Sequence, residues 1–443
     1  MMRVMAVSLM AMLASVARGQ DGPPAAGEVL SLDEAVKLSL QGNRSIQNAA
    51  LQVKRADADV GAAKAQRLPV FDVQVLAGRT LSPVRITVPG GAFGEFESTG
   101  PIPSQDTVVD VPAGTSALVS ASVAQPLSQL YKVGLGVKSN ELSRDIDREK
   151  LRAERASVVN EVKRLYYTLV QHQSALQAAE DQVKTYRELD RVVAEYVSRE
   201  TALPADRLDV QAQLRAGEYK VLSLRNALAT EKERMNSLLG RELDYDFSLA
   251  AIPEASFEEV DLEAAVAHAI ERRPELRQAR LQVDQADTGR RIKKAEYIPD
   301  VSLAVTYLTF TSVHLNVAQV GMQLKWQPFD FGRGKELAAS TLQLEQAKLG
   351  VRETESQVRI DVASRVRKLH EARELLEAQR IAREAAREKL RVTTKRYETE
   401  AALLKDALQA QATLGDANAE YDEALLGVWT ARSDLEKALG EDP

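Results

Sequence analysis

The sequence predicts a mostly α-helical protein with a small β part, laid down twice along one chain. Three observations predict it. Residues 32–75 align without a gap on residues 262–305, with thirteen of 44 positions identical. Long stretches carry apolar residues at heptad spacing. Paired segments of alternating polarity, bounded by prolines, read as strands. Aromatic residues are scarce at 5% and charged residues reach 28%, a mix that suits long solvated helices better than a thick globular core. The net charge of -6 is small for 443 residues and gives no reason to expect nucleic acid as a partner.

The chain opens with Arg3, an apolar run from Val4 to Val16, and then Ala17-Arg18-Gly19. That order reads as a signal peptide over 1–19, cleaved after Ala17 or Gly19, followed by a flexible segment at 20–31. No cysteine occurs, so disulfides, thiol catalysis, thiolate metal sites and a lipidated N-terminal cysteine are excluded. Beyond the signal no run approaches the ~18 consecutive apolar residues of a membrane helix. Entry into a membrane therefore requires β-strands.

The duplication extends past the first aligned block. Pro69 matches Pro299, and Gln125-Pro126 matches Gln327-Pro328. Glu200 to Leu214 matches Glu400 to Leu414 with eight of 15 identical, and Leu239-Gly240 matches Leu439-Gly440. A first repeat at 32–240, a linker at 241–261, a second repeat at 262–440 and a tail at 441–443 follow. Each repeat reads helix, strand, strand, long helix, turn, helix. The first helix is expected to run to about Arg67 and its copy to about Ile298. The long helix at about 140–199 carries Val162, Leu169, Leu176, Val183 and Val197 on one heptad position. Leu165, Ala179, Tyr186 and Val193 occupy another, and His172 and Asp190 interrupt the seam. At 1.5 Å per residue this helix is roughly 90 Å long. Two shorter helices stacked end to end would match it, which is how a tall wall of antiparallel helices is built.

Strands are expected at about 70–79, 117–125, 300–310 and 316–327. In the last, Val320, Met322, Leu324 and Trp326 share one face and Gln319, Gly321, Gln323 and Lys325 the other. Val301, Leu303, Val305 and Tyr307 alternate likewise, as do Phe71, Val73, Val75 and Ala77. Such strands suit lipid on one side and water on the other, although a soluble hairpin with one buried face alternates identically. At 117–125 the strand's own apolar parity (Val119, Val123) disagrees with the parity set by aligning Gln125 on Gln327, so its outward face stays open. Four strands cannot close a barrel and open edges are not tolerated in lipid, so other copies must complete it. The first hairpin is longer: 57 positions separate Pro69 from Pro126, against 29 between Pro299 and Pro328. Its Gly- and Pro-rich stretch at about 81–114 reads as a long loop at the far end of the barrel, a lid or a tolerated insertion. Pro69, Pro126, Pro299 and Pro328 are expected at the strand-to-helix junctions, because proline neither donates to a ladder nor continues a helix.

Residue patterns for chemistry are missing. His172, His268, His314 and His370 are dispersed, without metal-ligand spacing. Asp330-Phe331-Gly332 stands alone among kinase motifs, and Gly332-Arg333-Gly334-Lys335 lacks phosphate-loop spacing. The expectation is a protein that is not an enzyme and uses no metal or cofactor.

Taken together, the duplicated motifs resemble those of the TolC-like outer-membrane efflux proteins, over nearly all of 32–440. Gln327-Pro328-Phe329-Asp330-Phe331-Gly332-Arg333 resembles that family's strand-to-helix junction; in the first half it has decayed to Gln125-Pro126-Leu127. Thr201-Ala202-Leu203-Pro204 and Ala401-Ala402-Leu403-Leu404 resemble its hairpin tips, with alanine at 202 and 402 where the family commonly has glycine. Asp206 with Leu208, and Asp406 with Leu408, continue that signature. The resemblance implies a homotrimer with a twelve-stranded barrel in the outer membrane and a helical barrel in the periplasm. It further implies an exit duct of a tripartite pump or type I secretion system, with an inner-membrane transporter and a periplasmic adaptor as partners. Ala202, Leu203, Pro204, Ala402, Leu403 and Leu404 would then receive the adaptor. Arg199, Glu200, Asp206, Arg207, Glu400, Lys405 and Asp406 would be candidates for a charge latch at the periplasmic aperture. A periplasmic coiled-coil adaptor and a secreted structural coiled coil are the alternatives. Neither accounts for duplicated, proline-bounded strand pairs.

Overall fold

The computed structural model describes residues 29–111, 113–200, 203–250, 252, 260–310, 315–399, 401 and 404–442. The expected signal peptide lies outside them. In chain order the first repeat holds β1 (Val29–Leu30), α1 (Leu32–Gly42), α2 (Arg44–Ala65), β2 (Val70–Thr80), β3 (Val84–Val88), β4 (Glu95–Phe96), β5 (Gly100–Pro101), β6 (Thr107–Val111), β7 (Gly114–Pro126), α3 (Gln129–Ser198) and α4 (Pro204–Leu239). After β8 (Ser248–Leu249), the second holds α5 (Leu262–Arg272), α6 (Pro274–Ala295), β9 (Asp300–Phe310), β10 (Leu315–Lys325), α7 (Arg333–Glu398) and α8 (Leu404–Leu439). The chain forms two compact units, one of residues up to 42 with 162–257, the other of 43–161 with 258–443.

In the smaller unit, β1 pairs in parallel with β8. Tyr166 of α3 is 1% exposed, and its hydroxyl lies 3.0 Å from the carbonyls of both Leu30 and Ala250. Burial pushes its phenol pKa up, so it stays a neutral donor. Asn236, fully buried, donates its amide to the Leu243 and Tyr245 carbonyls and holds the chain leaving α4. Leu30, Val162, Leu169, Met235, Leu239 and Phe247 fill the core around them. The two residues that interrupt the heptad seam of α3 face α4 and are paired there. The His172 Nδ1 lies 2.8 Å from Glu231, and Arg207 donates to Asp190 at 3.3 Å.

The larger unit carries the sheet and the second repeat's helices. Both α6 and α8 pack along α7. Ala265, Ala269, Val358, Val362 and Ala438 make a small dry cluster where α5, α7 and α8 meet. Arg273, nearly buried, binds Asp361 at 2.6 Å, and Arg365 reaches both Asp361 and Asp434.

Each expected first helix is in fact two. In the first repeat the break falls at Asn43, whose side chain accepts from the Ser45 and Ile46 amides and caps α2. In the second it falls at Arg273, extended, ahead of Pro274 at the first helical position. The closing leucine-glycine of each repeat seats on that break. Gly240 and Gly440 end α4 and α8 with φ of 73° and 72°. A Cβ at Gly240 would collide with the Gly42 carbonyl, and one at Gly440 would come within 2.9 Å of the Arg273 amide nitrogen. α8 therefore ends where α6 begins, and these two, not α5, form the end-to-end stack beside α7. Likewise α3 begins at Gln129, earlier than expected, because Gly134 and Gly136 are tolerated inside it. The long loop of the first hairpin is largely ordered: β3 pairs with β6 and, nested within, β4 with β5. β10 stops at Lys325, short of the expected 327.

Replacing Gly240 or Gly440 by alanine is expected to cost at least about 1–2 kcal/mol, from left-handed backbone strain alone. The close approach adds to this. Thermal unfolding of the purified protein checks it; an unchanged midpoint in both variants would show that neither position needs glycine.

Candidate functional site: a bare sheet and the hairpin tips

The four-stranded sheet has the order β10-β9-β7-β2, antiparallel throughout. Residues opposite each other in such a ladder share a face, so the pairing sorts every side chain. Phe71, Val73 and Val75 lie opposite Val123, Ala121 and Val119. Val123 and Ala121 lie opposite Val305 and Tyr307, and Val305 and Leu303 opposite Val320 and Met322. One face is thus apolar from edge to edge. The other carries Asp72, Gln74, Ser120, Ser122, Ser302, Thr306, Gln319 and Gln323, with Gly78, Ala304 and Gly321 between them, and turns apolar toward the loop end at Leu76, Leu118, Leu308 and Val317.

This settles the outward face at 117–125: Val119 and Val123 follow their own parity. Pro69 stands level with Gln125 in the first hairpin, but Pro299 stands level with Trp326 in the second. The two hairpins differ by one residue in register. A slip of one reverses the facing of every side chain, so aligning Gln125 on Gln327 misassigned the strand.

Among the described residues neither face has a helix or second sheet packed along it. Phe71 is 77% exposed, and Val320 and Met322 are 72% exposed. Eleven residues at 3.3 Å, tilted by about 35–45°, rise roughly 25–30 Å, enough to cover a membrane barrel's apolar band. At the helix end of the sheet Tyr131, Tyr297, Trp326, Phe329 and Phe331 stand exposed. Aromatic rings concentrate at membrane–water boundaries, which fits this belt. The aromatics flanking Asp330 were the sequence signal for it. Among the described residues no helix is long and apolar enough to cross a membrane.

The prolines mark the changeover from sheet to helix. Pro69 and Pro299 immediately precede β2 and β9, Pro126 ends β7, and Pro328 lies in the turn before α7. Side chains stitch the junction. Ser128 donates to the Pro299 carbonyl and accepts from the Val301 amide, both at 2.7 Å. Lys132 binds Asp300 at 2.6 Å, and Gln125 donates to the Arg67 carbonyl.

At the other end of the helices, α3 terminates with Glu200 in the left-handed region at φ 59°, unusual for a residue with a Cβ. Leu203, 67% exposed, precedes Pro204 at the first position of α4, and Asp206 accepts from its amide at 3.1 Å. Arg199 pairs with Glu195 on its own helix, and Arg207 with Asp190 across the hairpin. Three of the candidate latch charges, Arg199, Asp206 and Arg207, are thus engaged within this hairpin. Ala202, Glu400, Ala402 and Leu403 lie outside the described residues; α8 begins at Leu404, followed by Lys405 and Asp406. Both repeats carry the same ion pair ahead of the turn: hydrogen bonds from Arg191 and Arg391 hold the Glu188 and Glu388 carboxyls below the usual carboxylate range.

The sequence matches the family profile described as outer membrane efflux protein over residues 35–241 and 265–441. The chain belongs to that family: it is an outer-membrane protein and an efflux duct. The fold is that of solved outer-membrane channels. The Campylobacter jejuni CmeC channel superposes with a TM-score of 0.75 at 14% identity, over 92% of this chain and 85% of its own. VceC of Vibrio cholerae gives 0.70 at 17%, over 92% and 96%. The open state of the Neisseria gonorrhoeae MtrE channel gives 0.69 at 17%, over 92% and 88%. Among curated proteins, none matches the sequence.

Glycine in place of Glu200 is expected to stabilise the protein by about 1 kcal/mol, by relieving the left-handed penalty. A lowered or unchanged unfolding midpoint for Glu200→Gly would mean that the α3 terminus is not strained.

Proposed function

We propose that three copies of this chain close their sheets into one twelve-stranded barrel, with the helices projecting into the periplasm. The assembly is the passive exit duct of a tripartite pump. An inner-membrane transporter energises export and a periplasmic adaptor joins it to the helical tips. The observation that carries this reading is the sheet. It is apolar on one face and polar over the helix-side part of the other, and among the described residues both faces are bare and both edges unpaired. Lipid outside, water inside and further copies at the edges answer all of these at once.

Adaptor docking at the turns is part of the proposal. An exposed Leu203 beside Pro204 offers a small apolar contact, and the residue before it in the sequence is the small Ala202. The sequence repeats the pattern at Ala402, Leu403 and Leu404. A charge latch across the tips would draw on Arg199, Glu200, Asp206, Arg207, Glu400, Lys405 and Asp406, of which Arg199, Asp206 and Arg207 also have partners in their own hairpin. Exposed pairs of this kind contribute about 0.5 kcal/mol each, so a latch needs several at once.

Aspartate at both Leu203 and Leu403 is expected to reduce export to the level of a deletion strain while trimers persist in the membrane. Export that survives, with adaptor still co-purifying, would remove the docking assignment. Neutralising Glu200, Glu400 and Asp406 together is expected to raise single-channel conductance; an unchanged conductance would remove the latch alone.

A further inference from the structure

The free edges of the sheet specify how neighbouring copies meet. β2 and β10 are the two edge strands, and each is eleven residues long. Resting on the trimeric-barrel reading, we propose that β10 of one copy pairs with β2 of the next over their full length. Lys325 then stands opposite Val70 of the next copy and Leu315 opposite its Thr80.

Three constraints select this register. The first is facing. Apolar residues sit at odd positions of β2 and even positions of β10, so only shifts by an even number of residues keep the apolar face continuous. The second is barrel geometry. Crossing one protomer perpendicular to its strands leads from Val70 to Ala124, Ala304 and Gly321. In the proposed register Gly321 then meets Gln74 of the next copy, a climb of four residues in four strands. With about 3.3 Å per residue and 4.8 Å per strand, that is a tilt of about 35°, within the range of membrane barrels. Sliding one way, so that Gly321 meets Asp72, lowers the tilt to about 19°. Sliding the other way, so that Gly321 meets Leu76, raises it to about 46°. That slide also strips Val70, Phe71, Leu315 and Asn316 of their ladder partners, which lipid penalises.

The third constraint is charge. Asp72 on one edge and Lys325 on the other share the polar face at the helix end of the sheet. Among the described residues neither forms an ion pair within the protomer, whereas nearby Asp300 is taken by Lys132. In the proposed register Gln323 faces Asp72 of the next copy, which puts Lys325 on the adjacent diagonal, within reach of a long side chain. On the apolar face Phe71, Val73, Val75 and Ala77 meet Leu324, Met322, Val320 and Ala318, a seam of aliphatic and aromatic contacts turned toward lipid.

The chain has no cysteine, so pairs of introduced cysteines report on this register directly. Within one protomer β2 and β10 are three strand spacings apart, about 14 Å, too far for a disulfide. Any bond formed is therefore between copies. Val75→Cys with Val320→Cys tests the lipid face, and Gln74→Cys with Gly321→Cys tests the lumenal face. Both are compared, in outer membranes under mild oxidation, with the shifted pairs Val75→Cys with Met322→Cys and Val75→Cys with Ala318→Cys. The expected result is covalent dimers and trimers forming several-fold faster in at least one matched pair than in either shifted pair. Faster linkage in a shifted pair, or none in any pair while amine cross-linking of the parent protein still yields trimers, overturns the register and leaves the trimer standing. No trimers with the amine cross-linker would bring down the assembly reading itself.

Discussion

Backbone hydrogen bonding in hydrocarbon is the constraint on which the rest of this molecule depends. A strand edge in water is hydrated; in lipid each unpaired amide or carbonyl costs several kcal/mol. The four-stranded sheet has two such edges and two bare faces, so the chain alone is an incomplete object in a membrane. Its polar face, with serine, threonine, glutamine and glycine on neighbouring strands, is suited to a water-filled lumen, and its apolar face to lipid. None of this would stabilise a soluble sheet, which would bury its valines against a helix.

The helices answer a different problem. A wall made of long helices has little interior, so its cohesion comes from narrow seams and specific breaks rather than a large core. Alanine and valine dominate the dry cluster around Ala269 and Val362, where α5, α7 and α8 come close. Polar pairs replace apolar contacts at intervals. His172 with Glu231 and Asp190 with Arg207 occupy seam positions between α3 and α4. Gly240 and Gly440 let helix ends meet the breaks at Gly42 and Arg273, where any side chain would collide. The duplication is therefore structural as well as sequential: each repeat closes on its own broken first helix.

Much of this was legible in the sequence, because the signals were local and repeated. Alternation in Val320, Met322 and Leu324 and the four prolines marked the sheet and its ends. What escaped depended on contacts between distant segments. The break at Asn43 has no proline, and its cause is a side-chain cap with a distant glycine seated against it. The facing at Val119 and Val123 depended on a one-residue difference in register, which only strand pairing reveals. The long helix was expected from about 140, yet α3 begins at Gln129 and runs through Gly134 and Gly136 at the modest cost of glycine in a helix. The partners of His172 and Asp190 lie 59 and 17 residues away, beyond any heptad window. At the tips, apolar Leu203 was legible, and the left-handed Glu200 was not, because no glycine marks it.

The most direct test of the central claim, that the sheet exists only as part of a closed assembly, is the native mass of the protein extracted from outer membranes in mild detergent. The account predicts a single species at three times the mature protomer mass, with slow amide exchange along both β2 and β10. A monodisperse monomer in which those two edge strands are nonetheless protected from exchange would contradict it.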